Sequence, residues 1–280
     1  MNLIKSTLEI GLDKPVKLLH VTDTHIALAD ARDNERKRAL AARRTHMANA
    51  QAYLAEHIAY AKANCDLLVH TGDLIDFVSV PNVEAAREVL KDADIFFIAG
   101  NHEYSQYMGE AWEDNAYRMN SYMEIMRMGG FGVPMLFNSR IVGGVNIVGI
   151  DNSYYLFEDW HIDRLKKEVE KGYPVILAFH DPLFEQSLYD RHMELDPECC
   201  TYLVGCDEAH LLPYSEFRAV QQRPDAPTMR MIAYIKSEPM IKAILTGHLH
   251  FSFESNLTDT LPQYVTGGAY DGTARELTLL

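Results

Sequence analysis

The sequence predicts a layered α/β fold. Three observations carry that prediction. Short apolar runs have the length and composition of buried strands: Val16 to Val21, Asp66 to Val69, Ile95 to Ile98, Pro174 to Phe179 and Ile241 to Leu245. Between the early runs lie longer stretches with apolar residues at helical spacing. Strand, helix and strand in succession require a parallel crossover, the unit from which layered α/β proteins are built.

The 280 residues suffice for one large domain or two small ones. With 48% hydrophobic and 24% charged residues, the chain has ample material for a core. A formal net charge of −14 disfavours non-specific binding to nucleic acid or to an anionic membrane. It leaves room for a local cationic site, because bound ions are invisible to the count. The cysteines are Cys65, Cys199, Cys200 and Cys206. They form no Cys-x-x-Cys pattern, and an adjacent pair is an awkward start for a disulfide framework. They are read as free thiols in a reducing compartment. Met1 to Leu12 lacks the apolar core of a signal peptide. No apolar run approaches the ~20 residues of a spanning helix. The expected location is cytoplasmic, with no membrane partner.

The first strand, Val16 to Val21, runs into Thr22-Asp23-Thr24-His25. Residues i and i+2 of a strand share a side. Asp23 and His25 can therefore offer an oxygen and an imidazole nitrogen to one cation. Alone, the pair also fits a polar strand end facing water. Ala29 to Arg38 is a charged loop entering a helix. The alanine-rich stretch Glu35 to Asn64 puts Leu40, Met47, Leu54, Ile58 and Ala61 on one helical face. It is read as a covering helix without a chemical role, and His46 and His57 on it as surface or structural histidines. Next come the strand Asp66 to Val69 and the segment His70-Thr71-Gly72-Asp73-Leu74-Ile75-Asp76. Gly72 lets the backbone turn. Asp73 then stands at the carboxyl end of a strand, where open α/β sheets place ligands. A carboxylate has two oxygens, so Asp73 is the expected bridge between two metal ions. His20 and His70 precede these segments and are read as satisfied core histidines.

A helix from Asn82 to Lys91 has Pro81 in its first turn. The strand Ile95 to Ile98 delivers Gly100-Asn101-His102-Glu103. Glu110 to Met128 is expected to be a helix with a core-facing methionine and aromatic stripe, ended by Gly129-Gly130. Ile141 to Ile150 reads as a hairpin turning at Gly143-Gly144. Glu158 to Lys171 is a helix with Ile162, Leu165 and Val169 inward and His161 exposed. Pro174 to Phe179 ends in His180-Asp181-Pro182, where proline stops the ladder. Leu183 to Pro239 is the least regular part, with one helix from Thr228 to Lys236. It is expected either to wall the active site and help choose the substrate or to be an irregular surface excursion, and His192 and His210 are candidates only if they face the metals. Ile241 to Leu245 ends in Thr246-Gly247-His248-Leu249-His250. Phe251 to Asn256, Gln263 to Thr266 and Arg275 to Leu279 are read as short strands closing a second sheet.

Five strand ends thus carry the same kind of cargo: Asp23 with His25, Asp73, Asn101 with His102, His180, and His248 with His250. In this order the pieces resemble the calcineurin-like metallophosphoesterase superfamily. The matching motifs are Asp23-x-His25, Gly72-Asp73-x-x-Asp76, Gly100-Asn101-His102-Glu103, His180 and Gly247-His248-x-His250. The resemblance implies a four-layer α/β/β/α sandwich of two mixed β-sheets flanked by helices. Residues 1–280 are read as one such domain, with the stretch around 183–239 as an irregular, substrate-facing insertion. The resemblance implies one metal held by Asp23, His25, Asp73 and His250, and another by Asp73, Asn101, His180 and His248. It also implies that His102 protonates the leaving group and that Asp76 orients His102.

Imidazole, carboxylate and amide donors suit manganese, iron or zinc, as two divalent or trivalent ions. The absence of cysteine from the set argues against a structural zinc site. Two divalent ions bring four positive charges. Two carboxylates and a bridging hydroxide remove three, which leaves a cationic site that attracts phosphate. The metals lower the pKa of the bridging water, so the nucleophile forms near neutral pH. The expected activity is hydrolysis of phosphate monoesters or diesters, with a small phosphoester as substrate. A narrower reading is a phosphodiesterase for cyclic nucleotides or other small diesters. A reading of another class is a non-catalytic scaffold of the same fold, which the filled ligand positions and His102 disfavour. A hydrolase of amides would also need metals, but the Asn-His pair and the paired terminal histidines match phosphoesterases better. No basic stripe points to a nucleic-acid substrate.

Overall fold

Leu18, Val69, Ile147, Ile176, Ala243 and Leu245 come from five separate runs of sequence and meet in one apolar layer. That layer joins two β-sheets in a computed structural model of the chain, which describes residues 1–107 and 114–280. In chain order the first half contains β1 (Asn2–Leu8), β2 (Val16–Val21), α1 (Glu35–Arg43), α2 (Ala50–Asn64), β3 (Leu67–His70), α3 (Val80–Asp92), β4 (Ile95–Phe97) and α4 (Asn115–Arg127). Then follow β5 (Phe137–Val142), β6 (Val145–Ile150), α5 (Asp159–Val169) and β7 (Val175–Ala178). The last part holds α6 (Gln186–Leu195), α7 (Glu208–Leu211), α8 (Glu216–Gln222), α9 (Ala226–Ser237), β8 (Ile241–Thr246), β9 (Phe253–Thr258), β10 (Leu261–Val265) and β11 (Thr273–Leu279).

The first sheet has the order β1-β11-β2-β3-β4 and the second β5-β6-β7-β8-β10-β9. Both are mixed. β2, β3 and β4 run parallel, whereas β11 lies antiparallel to β2. β6, β7, β8 and β10 run parallel between the antiparallel edge strands β5 and β9. Leu54, Ala61, Val83, Ala86 and Ile125 of α2, α3 and α4 cover the outer face of the first sheet. Ile162, Leu165, Met231 and Ile235 of α5 and α9 cover that of the second. The fold is therefore the expected four-layer α/β/β/α sandwich. Parallel strands buried on both faces read as continuous apolar runs, which is why they were legible. Each fully buried Leu, Ile or Val in these layers contributes about 1.5–3 kcal/mol.

Several expectations change. The covering helix breaks at Arg44, whose φ of −84° and ψ of 41° end α1 before a short 3₁₀ turn, Thr45–Met47, and α2. Of the helix expected over Glu110 to Met128, residues 108–113 lie outside the described ones, and α4 starts at Asn115 behind an Asp114 cap on Tyr117 N. β1 has no sequence signal, because it is an edge strand with no fully buried residue. β11 does not close the second sheet; it pairs with β1 and β2 in the first, with Arg275 opposite His20. The stretch 183–239 is not irregular but carries four helices, α6 to α9. Leu188, Leu203, Cys206 and Leu211 there pack on Leu249 and Val265, so the excursion rests on the loop after β8. His161 is not exposed. It lies buried against Trp160 and Phe157, and its Nδ1 accepts the Glu158 N–H that opens α5.

Candidate metal centre

The carboxyl ends of β2, β3, β4, β7 and β8 meet at one edge of the sandwich, and there the strand-end residues gather. The β2 and β3 loops run side by side. Asp23 N donates to Gly72 O at 3.0 Å, His25 N to Asp73 O at 2.9 Å, and Ile26 N to Leu74 O at 2.9 Å. Asp23, His25, Asp73, His248 and His250 all have positive φ, between 52° and 68°. Left-handed backbone at non-glycine residues costs of order 1–3 kcal/mol each and persists only where surroundings impose it. The convergence of Asp23 and His25 therefore does not come from strand alternation. β2 ends at Val21, and two left-handed residues turn both side chains inward.

Glycines let the loops touch. A Cβ on Gly72 would stand 2.6 Å from Gly100 Cα, one on Gly100 would stand 2.7 Å from His180 Cγ, and one on Gly247 would overlap Thr22. Glu103 ties the same loops from beneath. Its buried carboxylate accepts from Asp73 N at 2.8 Å, Gly100 N at 2.7 Å and Ile75 N at 3.1 Å. Burial and then the Asp73 charge push its pKa up to about 8, against the pull of those donors.

Each carboxylate of the centre has one oxygen occupied by backbone and one free for the interior. Asp23 Oδ2 accepts from His248 N at 3.0 Å, and Asp73 Oδ1 from His102 N at 2.8 Å. Asp23 Oδ1 then lies 3.2 Å from His250 Nε2, 3.7 Å from His25 Nε2 and 3.8 Å from His180 Nε2. Asp73 Oδ2 lies 3.1 Å from His180 Nε2 and 3.7 Å from His25 Nε2. The Nε2 atoms of His25 and His250 face each other at 3.1 Å. Three groups result among the described residues: Asp23 with His25 and His250, Asp73 with His180 and His248, and His25 with Asp76 and His102. Asp73 Oδ2 stands within reach of nitrogens from the first two.

The inner atoms fit metal ions. Asp23 Oδ1, Asn101 Oδ1 and His180 Nε2 are buried without a hydrogen-bond partner, a costly state for polar atoms. Electron-pair donors turned on one point call for positive charge between them. Burial opposes charge on His25, yet Asp23, Asp76 and Asp73 carry its pKa up to about 10. Burial likewise opposes charge on His180, and Asp73 and Asp23 raise it well above the ordinary value. Cations at the same place would release those protons. The outer nitrogens are also fixed. His25 Nδ1 bonds Asp76 Oδ1 at 3.0 Å, and His180 Nδ1 bonds the Thr71 carbonyl at 2.7 Å. Such partners leave Nε2 as the donor to a metal.

His102 is 14% exposed and His250 37%, which marks the open side of the centre. His102 Nδ1 bonds the carbonyl oxygen of Asp76 at 2.7 Å, and its Nε2 lies 4.0 Å from Asp73 Oδ2. Asp76 thus holds His102 through its backbone, while its carboxylate serves His25 and Arg44. Arg44 meets that carboxylate with two nitrogens, each at 2.7 Å. The sequence reading missed Arg44, which caps α1 as one of several basic residues in that stretch and carries no distinguishing local signal. It also missed Asn152, whose Oδ1 accepts from His180 N at 3.2 Å and Asp181 N at 3.1 Å. Tyr155 was missed as well; its hydroxyl lies 3.2 Å from His248 Nε2. His192 and His210 stay apart from the centre, bonded to Thr201 O and Asp207. His46 lies on the surface, and His57 is buried against Gly272 O.

Four layers with carboxylates and imidazoles gathered at the strand ends make the frame of a metal-dependent hydrolase. The chain belongs to the calcineurin-like phosphoesterase family, whose model matches residues 16–252. Members are metal-dependent, and the protein is a hydrolase acting on phosphoric ester bonds. No curated protein matches the sequence. Among solved structures, a dimetal phosphatase from Danio rerio is 12% identical, with 91% of this chain and 88% of that one covered and a TM-score of 0.40. The calcineurin-like phosphoesterase YfkN from Bacillus subtilis is 14% identical, covering 91% and 82%, with a TM-score of 0.42. The NAD nucleotidase of Haemophilus influenzae is 14% identical with a TM-score of 0.44; 95% of this chain aligns to 52% of that one, about half its length. Among the described residues no helix is long and apolar enough to cross a membrane.

Proposed function

We propose that the protein hydrolyses small phosphate esters at a centre of two metal ions bridged by Asp73. One ion is assigned to Asp23, His25, Asp73 and His250, and the other to Asp73, Asn101, His180 and His248. The observation that carries this reading is the position of Asp73 Oδ2, 3.1 Å from His180 Nε2 and 3.7 Å from His25 Nε2. A single oxygen faces both groups, because Oδ1 is committed to His102 N. The donor set suits manganese, iron or zinc. When bound, such ions supply the charge that holds phosphoryl oxygens and lowers the pKa of water.

The chain's own residues do the rest. His102 presents Nε2 on the open side with Nδ1 anchored on Asp76 O, the orientation needed to hand a proton to a leaving-group oxygen. Arg44 balances the Asp76 charge and so fixes the carboxylate that orients His25. The left-handed loops hold the donors in place before substrate arrives, which is where electrostatic catalysis gains its advantage.

The test is a panel of phosphate monoesters and diesters, from nitrophenyl phosphate to nucleotides, run on protein stripped with EDTA and then supplied with Mn²⁺, Zn²⁺ or Fe²⁺. Hydrolysis should vanish on stripping and return with at least one ion. Turnover indifferent to chelation would refute the mechanism, and inactivity across the panel in every metal would favour a non-catalytic scaffold.

A further inference from the structure

His70 is fully buried three residues before Asp73. Its two ring nitrogens reach both of the loops that carry Asp23, His25 and Asp73. Nδ1 lies 3.2 Å from the backbone N–H of Gly72, and Nε2 lies 2.9 Å from the Thr24 hydroxyl. An amide N–H can only donate, so Nδ1 holds a lone pair, and Nε2 carries the proton it gives to Thr24 Oγ1. The imidazole is thereby fixed as one neutral tautomer. Burial acts the same way and pushes its pKa down to about 3. Both partners are placed where leverage is greatest. Gly72 turns at a φ of 97° immediately before Asp73, and Thr24 stands between Asp23 and His25, each at positive φ.

We infer that His70 is a positioning residue of the metal centre: by bonding Gly72 N and Thr24 Oγ1 together, it sets the spacing between the loop of Asp23 and His25 and the loop of Asp73. The inference rests on the two-metal reading above. The neighbouring strand supplies a contrast. His20 bonds Thr71 Oγ1 at 2.8 Å and Thr266 Oγ1 at 2.8 Å, and Thr71 in turn holds His180 through its carbonyl. Each strand's histidine therefore straps the loop of the other strand. His20 ties Thr71 to Thr266, whereas both bonds of His70 end on residues directly adjacent to Asp23, His25 and Asp73.

The first measurement is the ¹⁵N spectrum of the metal-free protein. His70 should show an unprotonated Nδ1 and a protonated Nε2, and the opposite tautomer or an imidazolium would overturn the inference. The second is calorimetric Mn²⁺ titration of the full chain and four variants. His70→Asn keeps an acceptor for Gly72 N but cannot reach Thr24. His70→Gln keeps a donor for Thr24 but loses Gly72. Thr24→Val removes the hydroxyl and leaves the ring in place, and His70→Phe removes both bonds. Each should weaken Mn²⁺ binding on the order of ten-fold or more, His70→Phe the most. Thr24→Val should add nothing in the His70→Asn background, because both remove the same bond. Unchanged affinity in His70→Asn and Thr24→Val would overturn the role of His70 while leaving the metal centre intact. Absence of Mn²⁺ binding by the unsubstituted chain would instead bring down the metal reading and the inference with it. Should His70→Phe fail to fold, Thr24→Val still decides.

Discussion

Replacing Gly72 by alanine perturbs the centre without removing any candidate ligand side chain. Gly72 has a φ of 97°, where a Cβ costs about 1–2 kcal/mol. The new Cβ would also stand 2.6 Å from Gly100 Cα, when ordinary contact begins at 3.4 Å. The β3 and β4 loops must therefore part by about 1 Å, since close-packed interiors have no slack to absorb the overlap. Overpacking of this kind adds about 1–3 kcal/mol, for a total of about 2–5 kcal/mol. For a chain of this length that corresponds to a fall in melting temperature of roughly 3 to 9 °C. The displacement separates Asp73 from Asn101, and a misplacement of about 1 Å costs on the order of 100-fold in rate. Gly144→Ala is the control. Gly144 has a φ of 87°, and a Cβ there would meet nothing within 4 Å, so only the backbone term remains. Scanning calorimetry, Mn²⁺ titration and the rate at saturating metal read the three effects. If Gly72→Ala matched Gly144→Ala in all three, the reasoning from loop contact would be wrong.

His102→Ala should retain the metals but lose about 10²–10⁴-fold in rate, most for poor leaving groups; equal losses on nitrophenyl and alkyl phosphates would count against a proton-donating role. Burial holds His161 neutral with its pKa near 4, pushed down to about 4 from 6.5. Below about pH 6.5 the unfolded chain takes up a proton that the folded one refuses, so stability falls as pH drops from 6.5 toward 4, by up to about 3 kcal/mol. His161→Asn keeps the acceptor for Glu158 N and should flatten that dependence. Denaturation at pH 7 and pH 4.5 with an unchanged difference in stability would contradict it.

The fold was readable where burial on both faces made strands continuously apolar, as in Leu67–His70 and Val175–Ala178. It was unreadable where a strand sits at an edge or finds distant partners. Asn2–Leu8 has no apolar pattern to betray it, and nothing local in Thr273–Leu279 says that it slots between β1 and β2. At the centre, residue types at strand ends marked the residues that the fold gathers. Their convergence depends on left-handed backbone at Asp23, His25, Asp73, His248 and His250, which no periodicity encodes. Supporting residues were harder to see. Arg44 reaches Asp76 across 32 positions and only because a helix breaks there. Asn152 holds the His180 turn from another strand end. Glu103 stood in a recognised motif, yet its backbone partners span two loops, Asp73 and Ile75 after β3 and Gly100 after β4.

The central claim is that Asp73 Oδ2 is shared by two cations. Anomalous diffraction from crystals soaked in Mn²⁺ tests it most directly. Two peaks roughly 3.5–4 Å apart are expected. Each should lie about 2 Å from Asp73 Oδ2, with His25 and His250 on one side and His180 and His248 on the other. A single peak, or two that leave Asp73 on one side, would contradict it.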